Sequence, residues 1–311
     1  MRAVVIDGYG DASALHPTEA PEPKLGPDFV LVRVRGAGVN PVDTKIRRGK
    51  QDAAFPVHFP AILGWDASGV VERVGPAVLD WRPGDEVIAY ARKHHIGDGC
   101  YAEYVALPAP FLARAPSSVD AVTAGGLPLA ALTAWQVLTE ALDVRRRQTV
   151  LVHAAGGGVG SFAVQIAKWI GARVIGTGSA ASFAYLRSLG VDECVDYHAG
   201  PVSKQVRDLM PEGVDAVLDL IGGSALADSP AALGEDGRLA SVIDPAKVKE
   251  LGGRYVFVRP DGGELARLAV LVDEGAVRIN VADVLPLDQA AEAHRRLEEG
   301  HTKGKLVLAI D

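Results

Sequence analysis

The chain has 311 residues and a mass of 32.6 kDa, more than one ordinary hydrophobic core holds, so two domains are expected. It is 48% hydrophobic and 23% charged with a net charge of −7, a globular composition without a long basic run, which argues against nucleic acid and anionic membrane surfaces as partners. Apolar runs break well before the roughly 20 residues of a bilayer span. The opening MRAVVIDGYG reads as a strand entering a turn rather than a signal peptide. Cys100 and Cys194 alone exclude a disulfide scaffold and a four-cysteine zinc site, and they suit a reducing cytoplasm.

The first hundred-odd residues hold short alternating runs punctuated by Gly and Pro: 29–35 (FVLVRVR), 67–74 (ASGVVERV), 85–89 and 102–107. WRPGDEV, residues 81–87, is a turn before a strand, with Pro83 presetting φ and Gly84 free to take a positive one. Many short strands with little helical periodicity predict a compact β domain.

From about Ala121 the pattern changes. Residues 121–143 form an Ala/Leu/Thr helical stretch interrupted at Pro128. Strand-then-helix units follow: 149–153 with 161–171, 173–177 with 181–190, and 216–220 with 225–233, then strands at 238–242 and 255–258. Continuous Val/Ile/Leu strands alternating with helices predict a parallel sheet covered on both faces, and so an α/β, doubly wound fold. Residues 264–274 form an amphipathic helix. The tail from 288 to 310 reads as helix, loop and a closing strand that returns to the β domain.

HAAGGGVGSFAVQIAK, residues 153–168, places a glycine run between a strand and a helix. In a Rossmann fold that βα turn holds pyrophosphate on backbone N–H groups. The spacing here is Ala155-x-Gly157-x-x-Gly160, with Ala in the first glycine's place. Gly157 would let the backbone approach the phosphates, and Gly160 would let helix and strand pack closely. Gly158 and Val159 complete the anion-binding turn. A NAD site usually has Asp or Glu at the end of the next strand. This chain has Thr177, Ser179 and Ser182 there, with neither acid nor base, so NADPH is favoured by absence of repulsion. Ser179 as a mere helix cap is the competing explanation.

GVNPVDTKIRRG, LGWDASGVVERVG, WRPGDEV, YAEYVALP, LPLAALTAWQ, the glycine run and EEGHTKGKLVL occur in that order. The chain thereby resembles the medium-chain dehydrogenase/reductase superfamily, and within it the zinc-independent quinone oxidoreductase branch. The resemblance implies a GroES-like catalytic domain from residues 1–120 and 261–311 and a Rossmann dinucleotide-binding domain from 121–260. It also implies a homodimer. Zinc-dependent relatives place Cys and His ligands where this chain has Asn40 and Trp65, neither of which suits a closed N/S zinc site. His94–His95 lacks a cysteine partner and reads as a solvated loop or substrate rim. No metal is expected.

Without a Lewis acid, alcohol oxidation loses its means of activating the alcohol, whereas conjugate reduction needs only oriented partners and an oxyanion stabilised by donors. The resemblance therefore implies NADPH-dependent reduction of quinones or α,β-unsaturated carbonyl compounds. Alternatives are a pathway-dedicated enoyl reductase and a non-catalytic NADPH-binding redox sensor. By resemblance Asn40 is a donor beside the nicotinamide ribose and substrate carbonyl, or else a turn cap before Pro41. Lys45 is a donor to the enolate or a solvated lysine, and Asp43 its partner or that of Arg47. Trp65 walls the substrate pocket or sits in the core. Thr133, Tyr197, Leu220, Phe257, Val258 and Lys305 are implied cofactor contacts.

Overall fold

The structure is a computed structural model describing residues 1–300 and 302–311. The chain forms two compact units. One comprises Met1–Leu132, Arg259–Gly275 and Ile279–Asp311, the other Thr133–Val258 and Ala276–Arg278.

The first unit begins with β1 (Arg2–Ile6), β2 (His16–Glu19) and the long β3 (Phe29–Val39). A short helix, α1 (Pro41–Arg47), follows, started by Pro41 at a position where its missing N–H is not needed. β4 (Val57–Ile62), β5 (Asp66–Val74), β6 (Glu86–Tyr90), β7 (Ile96–Asp98), β8 (Tyr104–Pro108) and β9 (Leu112–Arg114) complete the strand-rich segment. The alternating runs at 29–35 and 67–74 lie within β3 and β5, which pair antiparallel.

Helix α2 (Ala121–Ala124) is capped by Asp120, whose Oδ1 accepts the Thr123 N–H at 2.8 Å. Helix α3 (Pro128–Gln136) starts at the proline and runs into a π-helical turn, Val137–Ala141. The first unit extends to Leu132 rather than 120 because α2 lies directly on β3: a Cβ at Gly36 would stand 2.7 Å from the Val122 carbonyl oxygen, and one at Gly125 2.7 Å from the Gly36 carbonyl carbon. Only paired glycines permit that approach.

The second unit is a parallel sheet with helical crossovers. In chain order its elements are β10 (Thr149–Val152), α4 (Gly158–Ile170), β11 (Arg173–Gly178), α5 (Phe183–Leu189), β12 (Glu193–Asp196), α6 (Val202–Leu209), β13 (Val214–Asp219), α7 (Gly223–Ala232), β14 (Leu233–Ser241), α8 (Pro245–Glu250) and β15 (Arg254–Tyr255). Spatial order is β12-β11-β10-β13-β14-β15 among the described residues, so the direction of winding reverses beside β10. Leu151, Ile175, Val195, Val217 and Leu239 fill the core over this sheet. The predicted strand at 255–258 is shorter than expected. After Arg254–Tyr255 the Val256 N–H still reaches the Ser241 carbonyl (3.0 Å), and Pro260 has no N–H to extend a ladder. Conversely, β12 is an edge strand with little buried apolar surface, which is why its sequence, ECVD, carries no strand signal.

The chain then re-enters the first unit through α9 (Gly262–Asp273), β16 (Val281–Pro286), α10 (Ala290–Glu299) and β17 (Lys305–Ala309). β17 pairs antiparallel with β3 (Val307 opposite Gly38) and parallel with β16, so the closing strand does belong to the β unit. The α/β class and the GroES-like plus Rossmann architecture are thus realised.

Candidate active site

In the second unit, β10 ends in a turn that leaves Ala154 at φ +48°, a left-handed conformation strained for a residue with a Cβ. Two hydrogen bonds hold it there: Ala154 N–H donates to Thr177 Oγ1 (3.0 Å) and Ala155 N–H to the Thr177 carbonyl (3.2 Å). The chain then turns into α4 at Gly157, whose N–H donates to the Ala154 carbonyl at 2.9 Å. A Cβ at Gly160 would lie 2.1 Å from the Ala154 carbonyl oxygen, so this position admits glycine only. At Gly157 the nearest atom would be that same oxygen at 3.3 Å, leaving its other sides open. The N–H groups of Gly158 and Val159, at the start of a 13-residue helix, have no acceptor within it and carry its positive dipole end. A tightly packed Gly160 beside an open Gly157 is a cradle fitted to a pyrophosphate.

Thr177 requires a correction. It is buried, with its hydroxyl accepting from Ala154, so it positions the turn instead of facing a cofactor from the strand tip. The tip itself is Gly178 and Ser179. Ser182 Oγ donates to the Ser179 carbonyl at 2.7 Å, which uses its one proton. Tyr197, exposed, sits beside this tip with its N–H 3.4 Å from the Gly178 carbonyl. At the end of β13, Leu220 is half-buried. The turn after it is drawn in by buried Asp219, which accepts from Ile221 N–H (3.1 Å), Gly222 N–H (3.0 Å) and Ser241 Oγ (2.6 Å). Phe257 is exposed and Val258 buried, just beyond β15. Except for Thr133, buried in α3, the second-unit residues foreseen from sequence gather at the carboxyl ends of the parallel strands, where open α/β sheets bind ligands.

In the first unit, Asn40 stands between β3 and α1 and is buried. Its Nδ2 donates to Asp66 Oδ2 (2.8 Å) and to the Gly38 carbonyl (3.3 Å), while its Oδ1 accepts from Lys305 Nζ. Both amide protons are therefore committed inside the unit. The expected donation to a substrate carbonyl is not available from this side chain, and Asn40 acts as a positioning residue at the start of α1. Lys305 is likewise corrected. Buried in β17, its ammonium lies 3.3 Å from both Asp66 Oδ2 and the Val39 carbonyl, not facing a cofactor. Asp66 also accepts the Leu129 N–H at 2.6 Å, tying the start of α3 to β5. Burial pushes the Asp66 carboxyl up, opposed by the Lys305 charge and the Asn40 and Leu129 hydrogen bonds.

Asp43 partners neither Lys45 nor Arg47 by any ion pair among the described residues. Its Oδ2 accepts the Asn40 N–H (2.8 Å) and the Tyr101 hydroxyl (3.2 Å). Tyr101 in turn meets His294 Nε2 at 3.1 Å, and Arg47 pairs with Glu298. Burial raises Asp43 to about 7 and drives His294 down to about 3, the nearby Arg47 charge adding to the latter. Trp65 is a core residue: it is 4% exposed and packs edge-on to Phe55 (centroids 5.5 Å) and Tyr90 (6.1 Å), so it does not wall a pocket. Lys45 is half-buried, and its ammonium makes no hydrogen bond or ion pair among the described residues. Burial, then repulsion from Lys50, lowers its pKa.

Asp66, Tyr101 and His294 were not foreseen as part of this network. A signal for the first existed: one lysine opening the apolar KLVLAI demands a buried acid, and Asp66 is the acid set in an apolar strand. At the zinc-ligand positions the donor set does not fit a metal. An amide and an indole stand there, a lysine ammonium already neutralises the adjacent carboxylate, and no three His, Cys, Asp or Glu side chains converge among the described residues.

Residues 26–117 match the alcohol dehydrogenase GroES-like domain family and residues 189–308 the zinc-binding dehydrogenase family. The chain is 33% identical to an NADPH-dependent alkenal/one oxidoreductase, chloroplastic, of Arabidopsis thaliana, over 99% of this chain and 79% of that protein. Among solved structures, a quinone oxidoreductase from Coxiella burnetii is similar at 33% identity and a TM-score of 0.89, covering 100% and 99% of the two chains. An NAD-dependent alcohol dehydrogenase is similar at 35% identity and a TM-score of 0.89, covering 100% of both. A GroES-like unit joined to a Rossmann unit with this glycine turn defines a class of oxidoreductase enzymes. The chain belongs to the medium-chain dehydrogenase/reductase superfamily, in its quinone oxidoreductase-like branch.

Proposed function

We propose that the protein is an NADPH-dependent, zinc-independent reductase of quinones or α,β-unsaturated carbonyl compounds, acting as a homodimer in the cytoplasm. The observation that carries the cofactor half is the α4 cradle followed by a strand tip without a carboxylate: Gly157 stays open, Gly160 is closed by the Ala154 carbonyl, and Gly178-Ser179 presents no negative charge. Names among the relatives support a nicotinamide in general and do not choose between its two forms.

When bound, NADPH supplies a hydride. The Gly158 and Val159 N–H groups would hold its pyrophosphate, while Thr177 keeps the turn in its strained shape. Reduction of a conjugated carbonyl leaves negative charge on the substrate oxygen, which calls for a hydrogen-bond or proton donor. With Asn40 committed to Asp66, Lys45 is the donor we assign. Its lowered pKa makes the ammonium a stronger acid, and the anchored start of α1 holds it in place. Asn40, which the resemblance puts at a zinc-ligand position, is hydrogen-bonded to both Lys305 and Asp66, which supports a metal-free reaction.

The experiment is NAD(P)H consumption with a panel of quinones and enones, using both nicotinamides with and without chelator. Turnover that favours NADPH and survives chelation is expected, with Lys45→Met lowering kcat more than it raises KM. Turnover confined to alcohols and lost on chelation would overturn the proposal. No helix among the described residues is long and apolar enough to cross a membrane.

A further inference from the structure

The stretch TGSAASF, residues 177–183, presents neither Lys nor Arg at the tip of β11, and Ser182 has already spent its proton on the Ser179 carbonyl. A phosphate at the tip itself would meet the Ser179 hydroxyl and no cationic side chain of that stretch. The neighbouring strand supplies what is missing. β12 runs parallel to β11 with Asp196 opposite Gly178, and the next residue's N–H, that of Tyr197, reaches the Gly178 carbonyl.

The turn that follows is braced from several sides. Asp196 Oδ1 accepts the His198 N–H at 2.9 Å, the Asp196 carbonyl accepts the Ala199 N–H at 3.0 Å, and Gln205 Nε2 on α6 donates to the Asp196 carbonyl (2.9 Å) and to that of Gly200 (3.2 Å). This bracing holds the Tyr197 and His198 rings together, centroids 4.2 Å apart, yet both are exposed and the His198 imidazole makes no hydrogen bond among the described residues. The braced turn thus presents an imidazole, unengaged among the described residues, on the strand next to a tip poor in cationic donors.

We infer that His198 reads the 2′-phosphate of NADPH, an imidazole N–H donating to the anionic phosphate the hydrogen bond that no Lys or Arg at the strand tip provides. The inference rests on the NADPH proposal above. His198 is a specificity residue at the adenosine end and takes no part in the chemistry.

The test uses cofactor fragments, so turnover plays no part. Titrate 2′,5′-ADP and 5′-AMP by calorimetry into the parent, His198→Ala and His198→Arg. The parent should bind 2′,5′-ADP more tightly than 5′-AMP by roughly fivefold to tenfold. His198→Ala should bring that ratio close to one without changing 5′-AMP, and His198→Arg should raise it and make it more salt-sensitive. A parent preference that His198→Ala leaves intact would overturn the role of His198 while sparing the NADPH proposal. A parent that shows no preference, with 5′-AMP bound, would overturn NADPH selection itself.

Discussion

Lys305 and Asp66 form an ion pair, Nζ to Oδ2 at 3.3 Å, between β17 and β5, and both side chains are almost wholly withdrawn from water. Asn40 touches both, so three strand ends and the starts of α1 and α3 depend on one cluster. Removing one partner of a buried pair strands the other charge, a loss of about 3–5 kcal/mol. Lys305→Met and Asp66→Asn should each lower stability by about that much, and the double variant by clearly less than the sum. Urea melts of the four proteins check this. Additive losses would mean the two charges do not sense each other.

The Asp43–Tyr101–His294 network makes a signed pH prediction. Asp43, raised from 3.8 to about 7, holds its proton longer in the folded state; its contribution is complete below about pH 4 and is lost as pH rises to 7. His294, lowered from 6.5 to about 3, acts oppositely: its contribution is present above 6.5 and is lost as pH falls toward 3. Relative to the parent, Asp43→Asn should therefore gain stability with rising pH between 4 and 7, by up to about 1.4 kcal/mol per pH unit. His294→Gln should show the reverse slope between 3 and 6.5. Thermal or urea denaturation across that range reads both slopes, and parallel curves for parent and variants would refute the assignment.

The two glycines of the cradle should separate folding from binding. At Gly160 a methyl group would overlap the Ala154 carbonyl at 2.1 Å, forcing α4 off its turn. Gly160→Ala should destabilise the unit by about 2 kcal/mol or more and abolish dinucleotide binding. At Gly157 the same methyl meets the Ala154 carbonyl oxygen at 3.3 Å, a tight contact that the turn must ease by a few tenths of an ångström. Gly157→Ala should therefore lower the melting temperature far less than Gly160→Ala while weakening cofactor affinity, and Gly157→Val should eliminate that affinity. Equal melting temperatures for all three would mean the turn is looser than its geometry requires.

Much of this was legible in the sequence because it is written in backbone requirements. The strand–glycine–helix order located the cradle, Pro128 located the start of α3, and the alternating FVLVRVR located β3. What escaped was long-range pairing of polar groups. Asn40 read as a donor by resemblance, yet one of its amide protons goes to Asp66, 26 residues away, and the other to the Gly38 carbonyl, while its oxygen accepts from Lys305, 265 residues away. Trp65 was ambiguous for a similar reason: nothing local says that Phe55 and Tyr90 enclose it. Edge strand β12 was invisible because half-exposed strands lack an apolar run, and with it went the placement of His198.

Cofactor choice is open to a single substitution at Ser179. That residue has extended backbone (φ −76°, ψ 154°) at the start of the turn 180–182, with no side-chain bond to the turn, and Asp is a favoured residue at such a cap. Ser179→Asp should therefore fold normally. Its carboxylate would accept from the ribose 2′- and 3′-hydroxyls of NADH and repel the 2′-phosphate of NADPH. Hydroxyl-level hydrogen bonding is worth about 1 kcal/mol, so gaining it for NADH while adding repulsion toward NADPH should move the ratio by tenfold or more in favour of NADH. The measurement is kcat/KM for both cofactors in parent and variant, with the melting temperature as a control. A parent that prefers NADH would show that the acid-free tip does not select phosphate. A normal melt with an unmoved ratio would show that the ribose binds away from the end of β11.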